Sequence, residues 1–274
     1  MRLPPVLYAI RFAAVLLLAF SLCTPTFAQT AVDLQLVLAV DASGSVDQRR
    51  FELQMQGYVA AFRDPRVLSA IQSGAMQAIA VTMVQWTGPA LQIQVLPWTL
   101  INDATTAQTF AAAIAATPRR LFSGGTSISG VIDYAVPLLL ESPFKGTRRV
   151  IDISGDGPNN SGVPAPVARN STVARGIVID GLPIMLKTHV ASDSASIPDL
   201  DAYYRECVIG GDGAFLVKVS DSGEFASAIL RKLITEISGL EVSGLAAARV
   251  RPAQFGKDYN CFIGEEMQER MIGR

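Results

Sequence analysis

Short apolar runs alternate with amphipathic segments along most of the chain. The first run, residues 34–40, is rich in leucine and valine and predicts a strand covered on both faces. Residues 48–62 then repeat apolar side chains at helical spacing. Two strand-like runs, 77–86 and 91–98, are separated by Thr-Gly-Pro and predict a hairpin with an antiparallel edge strand. The first hundred residues therefore predict a strand, a helix and a hairpin.

The same alternation continues to about residue 238. Further helices are predicted at 103–116, 128–140, 165–175, 199–207 and 225–237, and further strands at 150–154, 182–189 and 214–219. Strands that alternate with helices of this length predict an α/β fold: a doubly wound, mostly parallel sheet with one antiparallel edge strand and helices on both faces. Periodicity fades after this domain, so residues 239–274 are predicted to be a C-terminal tail.

The N-terminus has the pattern of a targeting segment. Arg2 and Arg11 flank the start of an apolar stretch that continues to residue 22, and small residues follow up to Ala28. This pattern predicts a cleaved signal peptide over residues 1–28, a domain over 29–238, and export to the periplasm or the extracellular space. The stretch is short for a membrane span, and an uncleaved anchor is the alternative.

The net charge and the cysteine content indicate which partners and which covalent links the sequence favours. Removal of residues 1–28 takes away two arginines and no acids, so the formal charge goes from −1 to −3. No basic cluster indicates a nucleic-acid partner. Of the three cysteines, Cys23 leaves with the signal peptide. The remaining pair, Cys207 and Cys261, favours a disulfide that ties the tail to the domain, and two unpaired buried thiols are the alternative.

Candidate chemistry begins where the first strand ends. The sequence Asp-Ala-Ser-Gly-Ser presents Asp41, Ser43 and Ser45 at alternate positions, and Gly44 allows a sharp turn between them. Loops at the carboxyl ends of strands in α/β sheets are where ligands usually bind. Hydroxyl and carboxylate oxygens suit Mg²⁺, Mn²⁺ or Ca²⁺. Alternatively, Ser45 and Gln48 form a capping box for the next helix.

Two later loops carry matching groups. Thr126 follows two glycines and precedes the helix at 128–140, where it is either a site residue or an ordinary helix cap. Asp156 follows the strand at 150–154, within Gly-Asp-Gly, and Asp152 inside that strand is the alternative.

These three motifs, in this order and on these elements, resemble the von Willebrand factor A (vWA) domain with its metal-ion-dependent adhesion site (MIDAS). The segments SGDGPNN and YYRECVIGG also resemble the sequences of a bacterial family of exported vWA-like proteins of unknown function, DUF1194. The resemblance implies a divalent cation, in the first place Mg²⁺. Its direct ligands would be Ser43, Ser45 and Thr126, with Asp41 and Asp156 holding bound waters. The Gly155 that precedes Asp156 departs from the Thr-Asp-Gly that vWA domains usually carry at this point.

The resemblance implies a non-enzymatic binding protein that recognises an Asp or Glu carboxylate of a protein partner through the cation. It implies no stable membrane insertion once the signal is removed. Two alternatives remain: a metal-dependent hydrolase, and a structural scaffold whose metal site is non-functional. Against the hydrolase, the one histidine, His189, ends a predicted strand, and Lys187 belongs to no catalytic motif. The sequence specifies neither the partner nor the oligomeric state.

Overall fold

A computed structural model describes residues 29–186, 196–239 and 259–273. The predicted signal peptide, Lys187, His189 and residues 240–258 of the predicted tail lie outside these ranges. The strands are β1 (Thr30–Asp41), β2 (Ile79–Trp86), β3 (Gln92–Ile101), β4 (Phe144–Gly155) and β5 (Val178–Pro183). The helices are α1 (Gln48–Arg63), α2 (Pro65–Gln72), α3 (Ala104–Ala116), α4 (Ile128–Leu140), α5 (Ala165–Val173), α6 (Leu200–Tyr203), α7 (Phe225–Ser238) and α8 (Ile263–Ile272).

The sheet is centred on β1. Its strand order is β3-β2-β1-β4-β5. Strand β1 pairs with β2 in parallel from Leu34 opposite Ile79 to Asp41 opposite Trp86, and β4 pairs with β5 in parallel. Strand β3 pairs with β2 in the antiparallel direction at the edge of the sheet. The predicted fold class and the predicted hairpin are confirmed.

Alternate side chains of β1 enter two hydrophobic cores on opposite faces of the sheet. Leu36 and Leu38 belong to the core that α1, α2, α3 and α7 cover. Val37 and Ala39 belong to the core that α4, α5 and α6 cover. All four side chains are fully buried, and a buried Val or Leu contributes about 1.5–3 kcal/mol. Within the described residues, no helix has the length and apolar character needed to cross a membrane.

The predictions were wrong about the last two strands. Strand β5 covers Val178–Pro183, so it begins four residues before the predicted range of 182–189, of which 187–189 lie outside the described residues. The early start was missed because a buried carboxylate, Asp180, interrupts the apolar pattern of the strand. That carboxylate accepts a hydrogen bond from the backbone N–H of Phe215 at 2.9 Å. Residues 214–219 form isolated bridges to β5 and its extension, through Leu216 and Val219, in place of the predicted continuous strand.

A buried charged cluster joins α7 to the sheet. The Nζ of Lys232 on α7 lies 2.7 Å from Asp152 Oδ1 on β4, and it also pairs with Glu236 one turn further along the helix. Burial raises the pKa of the nearby Asp180 to about 6. The hydroxyl of Tyr58 on α1 donates to Asp152 at 3.4 Å. Asp152, the alternative metal-site residue, therefore lies among these groups and pairs with Lys232.

The predicted tail is not wholly irregular. The disulfide between Cys207 and Cys261 is present, which confirms that prediction. It brings residues 259–273 back to the domain, where they form helix α8. No helix was predicted here, and that expectation is corrected. The disulfide brings the segment onto the domain across 54 residues of chain, a contact that local periodicity does not report.

Candidate functional site

The loop after β1 folds around the carboxylate that ends the strand. Asp41 is fully buried, and its Oδ1 accepts a hydrogen bond from the N–H of Ser43 at 2.7 Å. The turn brings the hydroxyls of Ser43 and Ser45 to 3.1 Å from each other. The alternate spacing of these residues thus puts two hydroxyl oxygens on the same side of the loop.

Neither serine caps the following helix. The N-cap of α1 is Asp47, whose carboxylate accepts a hydrogen bond from the N–H of Arg50 at 2.7 Å. The capping box expected between Ser45 and Gln48 is therefore wrong. The hydroxyl of Ser45 instead belongs to the candidate site.

The loop after β4 joins this hydroxyl pair. Ser45 Oγ donates to Asp156 Oδ1 at 2.6 Å, and the N–H of Asp156 donates to Asp41 Oδ2 at 3.4 Å. The extra Gly155 is the last residue of β4 and does not carry Asp156 out of reach. A Cβ at this glycine would lie 2.7 Å from the hydroxyl of Tyr204 and 3.0 Å from Asp41 Oδ2. Glycine therefore allows β4 to pass directly beside the carboxylate of Asp41.

Thr126 reaches the same edge of the sheet through its own loop. It is buried, and its backbone forms two hydrogen bonds with Asn160, at 2.8 and 2.9 Å. The cap of α4 is Ser127 and not Thr126, so the helix-cap interpretation of Thr126 is also wrong. The carbonyl oxygen of Gly124 would be 3.6 Å from a Cβ on Gly44, which shows that this loop touches the loop after β1. The three predicted loops converge.

The electrostatics of the site reflect two neighbouring carboxylates. Burial, followed by the negative charge of Asp156, raises the pKa of Asp41 to about 7. Asp156 itself pairs with Arg50, whose NH1 lies 2.9 Å from Asp156 Oδ2. Both side chains of this ion pair are almost completely buried. The site therefore contains one carboxylate compensated by a guanidinium and one, Asp41, whose negative charge is disfavoured unless a cation is near.

The donor set fits a hard divalent cation. Two cis ligands at about 2.1 Å from an octahedral Mg²⁺ lie about 3.0 Å apart, close to the 3.1 Å between the hydroxyls of Ser43 and Ser45. The buried hydroxyl of Tyr204 has no hydrogen-bond partner among the described residues, which is typical of a site that water or a ligand completes. The described residues contain no group of three or more His, Cys, Asp or Glu side chains placed to hold a metal ion. A cation here would therefore depend on the serine and threonine hydroxyls.

Four supporting side chains were missed in the sequence. Arg50 and Gln54 lie on the buried face of α1, and Gln54 donates from Nε2 to the carbonyl oxygen of Asp41 at 3.3 Å. Arg119 donates to the carbonyl oxygens of residues 42 and 43, at 3.0 and 3.1 Å. Asn159 Oδ1 accepts from the N–H of Ser129 at 3.0 Å. Polar residues on an otherwise apolar helical stripe, as at Arg50 and Gln54, were the available signal.

Helix α8 contacts the loop that carries Asp156. Asn159 Nδ2 donates to Glu265 Oε1 at 2.8 Å. Gly264 packs against the same asparagine so closely that a Cβ would lie 2.0 Å from the carbonyl oxygen of Asn159. The disulfide of Cys261 therefore attaches to the domain a segment that supports the candidate site.

Comparisons with known proteins agree with this fold. The family described as "Protein of unknown function (DUF1194)" matches residues 31–241. Among curated proteins, no sequence matches this chain. A similar solved structure is a von Willebrand factor type A protein from Catenulispora acidiphila, with 16% identity and a TM-score of 0.51, covering 76% of this chain and 43% of that one.

Two further solved structures share the architecture. The pilus adhesin SpaC from Lactobacillus rhamnosus GG has 13% identity and a TM-score of 0.50, covering 76% of this chain and 31% of that one. A proximal thread matrix protein from the mussel byssus, with a zinc-occupied MIDAS motif, has 15% identity and a TM-score of 0.49, covering 77% and 49%. The chain spans less than half the length of each of these proteins. At these identities the likeness to the first two structures, with TM-scores of 0.51 and 0.50, shows a vWA-like fold.

Proposed function

This chain belongs to the DUF1194 family, and from that premise and the geometry of its three loops we propose that it is a non-enzymatic protein that binds a divalent cation to recognise a protein partner. The observation that carries the proposal is a series of side-chain hydrogen bonds that links Ser43 to Ser45 and Ser45 to Asp156, beside the buried Asp41. It occupies the carboxyl edge of a vWA-like sheet, where ligands of α/β folds usually bind.

Each residue has a distinct role in the proposed site. The hydroxyls of Ser43, Ser45 and Thr126 would hold Mg²⁺, or Mn²⁺ or Ca²⁺ in its place. Asp41 and Asp156 would orient those hydroxyls and bound waters. The bound cation would supply an open coordination position for an anionic oxygen. Asp and Glu carboxylates are the protein groups that match it, so the partner would present one of them.

We also propose that the protein acts outside the cytoplasm, in the periplasm or the extracellular space. The sequence of residues 1–28 supports export, and so does the disulfide of Cys207 and Cys261, because disulfides persist in oxidising compartments. A catalytic role would require a base beside Ser43. The hydroxyl of Ser43 contacts Ser45 and the carboxylate of Asp41. That carboxylate already accepts hydrogen bonds from the N–H groups of Ser43 and Asp156 within the loops, and this supports binding in preference to hydrolysis.

A titration of the chain from Gln29 onward with Mg²⁺ and Mn²⁺ by calorimetry tests the proposal. Saturable binding is expected in the wild type and is expected to be lost in Asp41→Ala and Thr126→Ala. Thr109→Ala is the matched control, because its hydroxyl bonds within α3 to the carbonyl oxygen of Thr105. Absence of binding in a folded wild-type protein would contradict cation-dependent recognition.

That negative result would favour a second candidate, a structural scaffold. The observation behind it is the buried ion pair of Arg50 with Asp156, which already supplies a cation to one carboxylate of the site. In a scaffold, Asp41→Ala and Thr126→Ala would change the unfolding free energy equally with and without a chelator. In a cation-binding site, the chelator would itself lower the stability of the wild type.

A further inference from the structure

Arg50 is a fixed cation inside the candidate site. It is 6% exposed and projects from the first turn of α1. Its NH1 lies 2.9 Å from Asp156 Oδ2, and its NH2 lies 3.3 Å from the carbonyl oxygen of Leu186. The same NH1 lies 3.5 Å from the carbonyl oxygen of Ser45. One guanidinium group therefore contacts the loop after β1, the loop after β4 and the chain that follows β5.

The position of this charge changes the electrostatic balance of the site. Both oxygens of Asp156 are engaged, one by Arg50 and one by the hydroxyl of Ser45. With Asp41 ionised, as cation binding requires, two carboxylates and one guanidinium carry a formal charge of −1. A divalent cation brings that charge to +1. With a neutral residue at position 50 the loaded site would carry no net charge.

Other charges border the site, but they oppose each other. Asp47 caps α1, and the guanidinium of Arg119 donates to the carbonyl oxygens of residues 42 and 43. The Arg119 guanidinium also lies 5.4 Å from the ring centroids of Phe51 and Phe122, one on α1 and one on the loop before Thr126. These groups remain in place when position 50 is changed. The net charge of the loaded site therefore depends on Arg50.

We propose that Arg50 determines the specificity of the site: it weakens the hold on the divalent cation and gives the loaded site a net positive charge that favours an anionic partner. The inference rests on the proposed function, because it concerns the same site. Its physical basis is Coulombic. A unit charge about 6 Å from a divalent ion changes its affinity about tenfold even at the dielectric constant of water, about 80, and by more at an effective value of about 20.

A charge series separates this role from a purely structural one. The variants are Arg50→Gln, which keeps hydrogen-bond donors without the charge, Arg50→Lys, which keeps the charge, Asp156→Asn, and the double variant R50Q/D156N. Mn²⁺ affinity is measured from the free-ion electron paramagnetic resonance signal. Acetate serves as the carboxylate probe, and its binding to the Mn²⁺-loaded protein is measured by relaxation of its methyl protons. Circular dichroism melting with a chelator reports folding.

The expected order follows the formal charge. R50Q binds Mn²⁺ at least about tenfold more tightly than the wild type and binds acetate at least about threefold more weakly. D156N shifts both affinities in the opposite direction. Adding D156N to R50Q reverses both shifts, and Arg50→Lys shows smaller shifts than R50Q. Addition of Mn²⁺ raises the melting temperature of R50Q more than that of the wild type.

Several results would overturn the proposal. Equal Mn²⁺ and acetate affinities in the wild type and R50Q would refute the role of Arg50 while leaving the cation site intact. Weaker Mn²⁺ binding in R50Q would show that Arg50 only shapes the loops. If R50Q does not fold, a comparison of D156N with R50Q/D156N measures the effect of the same charge. The double variant can fold because both members of the buried pair are then neutral. If the wild type binds no Mn²⁺, the proposed function fails and this inference fails with it.

Discussion

Replacement of Gly155 by alanine tests the close passage of β4 beside the candidate site. The new methyl group would lie 2.7 Å from the hydroxyl of Tyr204, 3.0 Å from Asp41 Oδ2 and 3.3 Å from Cζ2 of Trp86. The two aromatic rings are fully buried, and neither can turn away without displacing its neighbours. The Asp41 carboxylate could rotate, but it would then lose the 2.7 Å hydrogen bond from the N–H of Ser43.

The expected cost is that of overpacking in a well-filled core. Insertion of one methyl group into such a core costs about 1–3 kcal/mol. For a domain of about 200 residues, each kcal/mol lowers the melting temperature by about 2–4 °C, so Gly155→Ala should lower it by about 2–12 °C. The displacement of Asp41 should also weaken Mn²⁺ binding, because this carboxylate orients the loop that presents the hydroxyls.

Thermal and urea unfolding followed by circular dichroism measure the stability change. Gly88→Ala is the matched control, because its Cβ would meet neighbours at 3.8 and 3.9 Å, which is ordinary contact. We expect that control to change stability by less than about 0.5 kcal/mol. If Gly155→Ala and Gly88→Ala melted together, β4 would not pass as close to Asp41 as the structure places it, and the explanation of the extra glycine would be wrong.

Three further predictions concern the rest of the domain. The folded-state pKa of Asp180, about 6, lies above its ordinary 3.8, so its stabilising effect is complete below about pH 4 and is lost as the pH rises through 6. The unfolding free energy of the wild type, measured with urea, should therefore fall by about 1–3 kcal/mol as the pH rises from about 4 through 6. Asp180→Asn should remove most of this fall. An equal fall in the variant would contradict the raised pKa of Asp180. Cys261→Ser should cost about 2–4 kcal/mol in unfolding experiments without reductant, because the bond to Cys207 spans 54 residues; equal urea midpoints for variant and wild type would refute this. Lys232→Met should cost about 3–5 kcal/mol at pH 7, since it leaves the buried carboxylate of Asp152 without its cation. A loss of unfolding free energy below about 1 kcal/mol would show that Lys232 does not stabilise this cluster.

Much of the fold was predictable because local patterns and tertiary packing agree in it. The apolar run of β1, the hairpin and the stripes of α1, α4 and α7 each bury the face that the sequence marks as apolar. Strand β5 was misplaced because Asp180 is a carboxylate buried by partners distant in sequence. Helix α8 was missed because a disulfide brings it onto the domain.

The oxygen-bearing residues of the candidate site were predictable from the sequence, but the side chains that hold their loops in place were not. Spacing and position at strand ends singled out Asp41, Ser43, Ser45, Thr126 and Asp156, and the structure brings their loops together. The place of Arg50 on an apolar stripe was a signal that it is buried, but its partner was not predictable. An arginine in the first turn of a helix ordinarily points to solvent, and its burial depends on a carboxylate 106 residues away. The closeness of Gly155 to two aromatic rings depends likewise on the assembled fold.

The support that α8 gives to the loop of Asp156 has a consequence for the order of events during synthesis. Glu265 and the cysteine that anchors α8 follow all three site loops in the chain, and they lie beyond residues 31–241, which match the family. Synthesis runs from the N-terminus, so the residues of the sheet and its loops are made before this segment is available. Oxidation of the thiols then fixes the segment against Asn159. The contact of α8 with the loop of Asp156 would therefore be completed late, and under the proposed export it would form in a compartment that also forms disulfides.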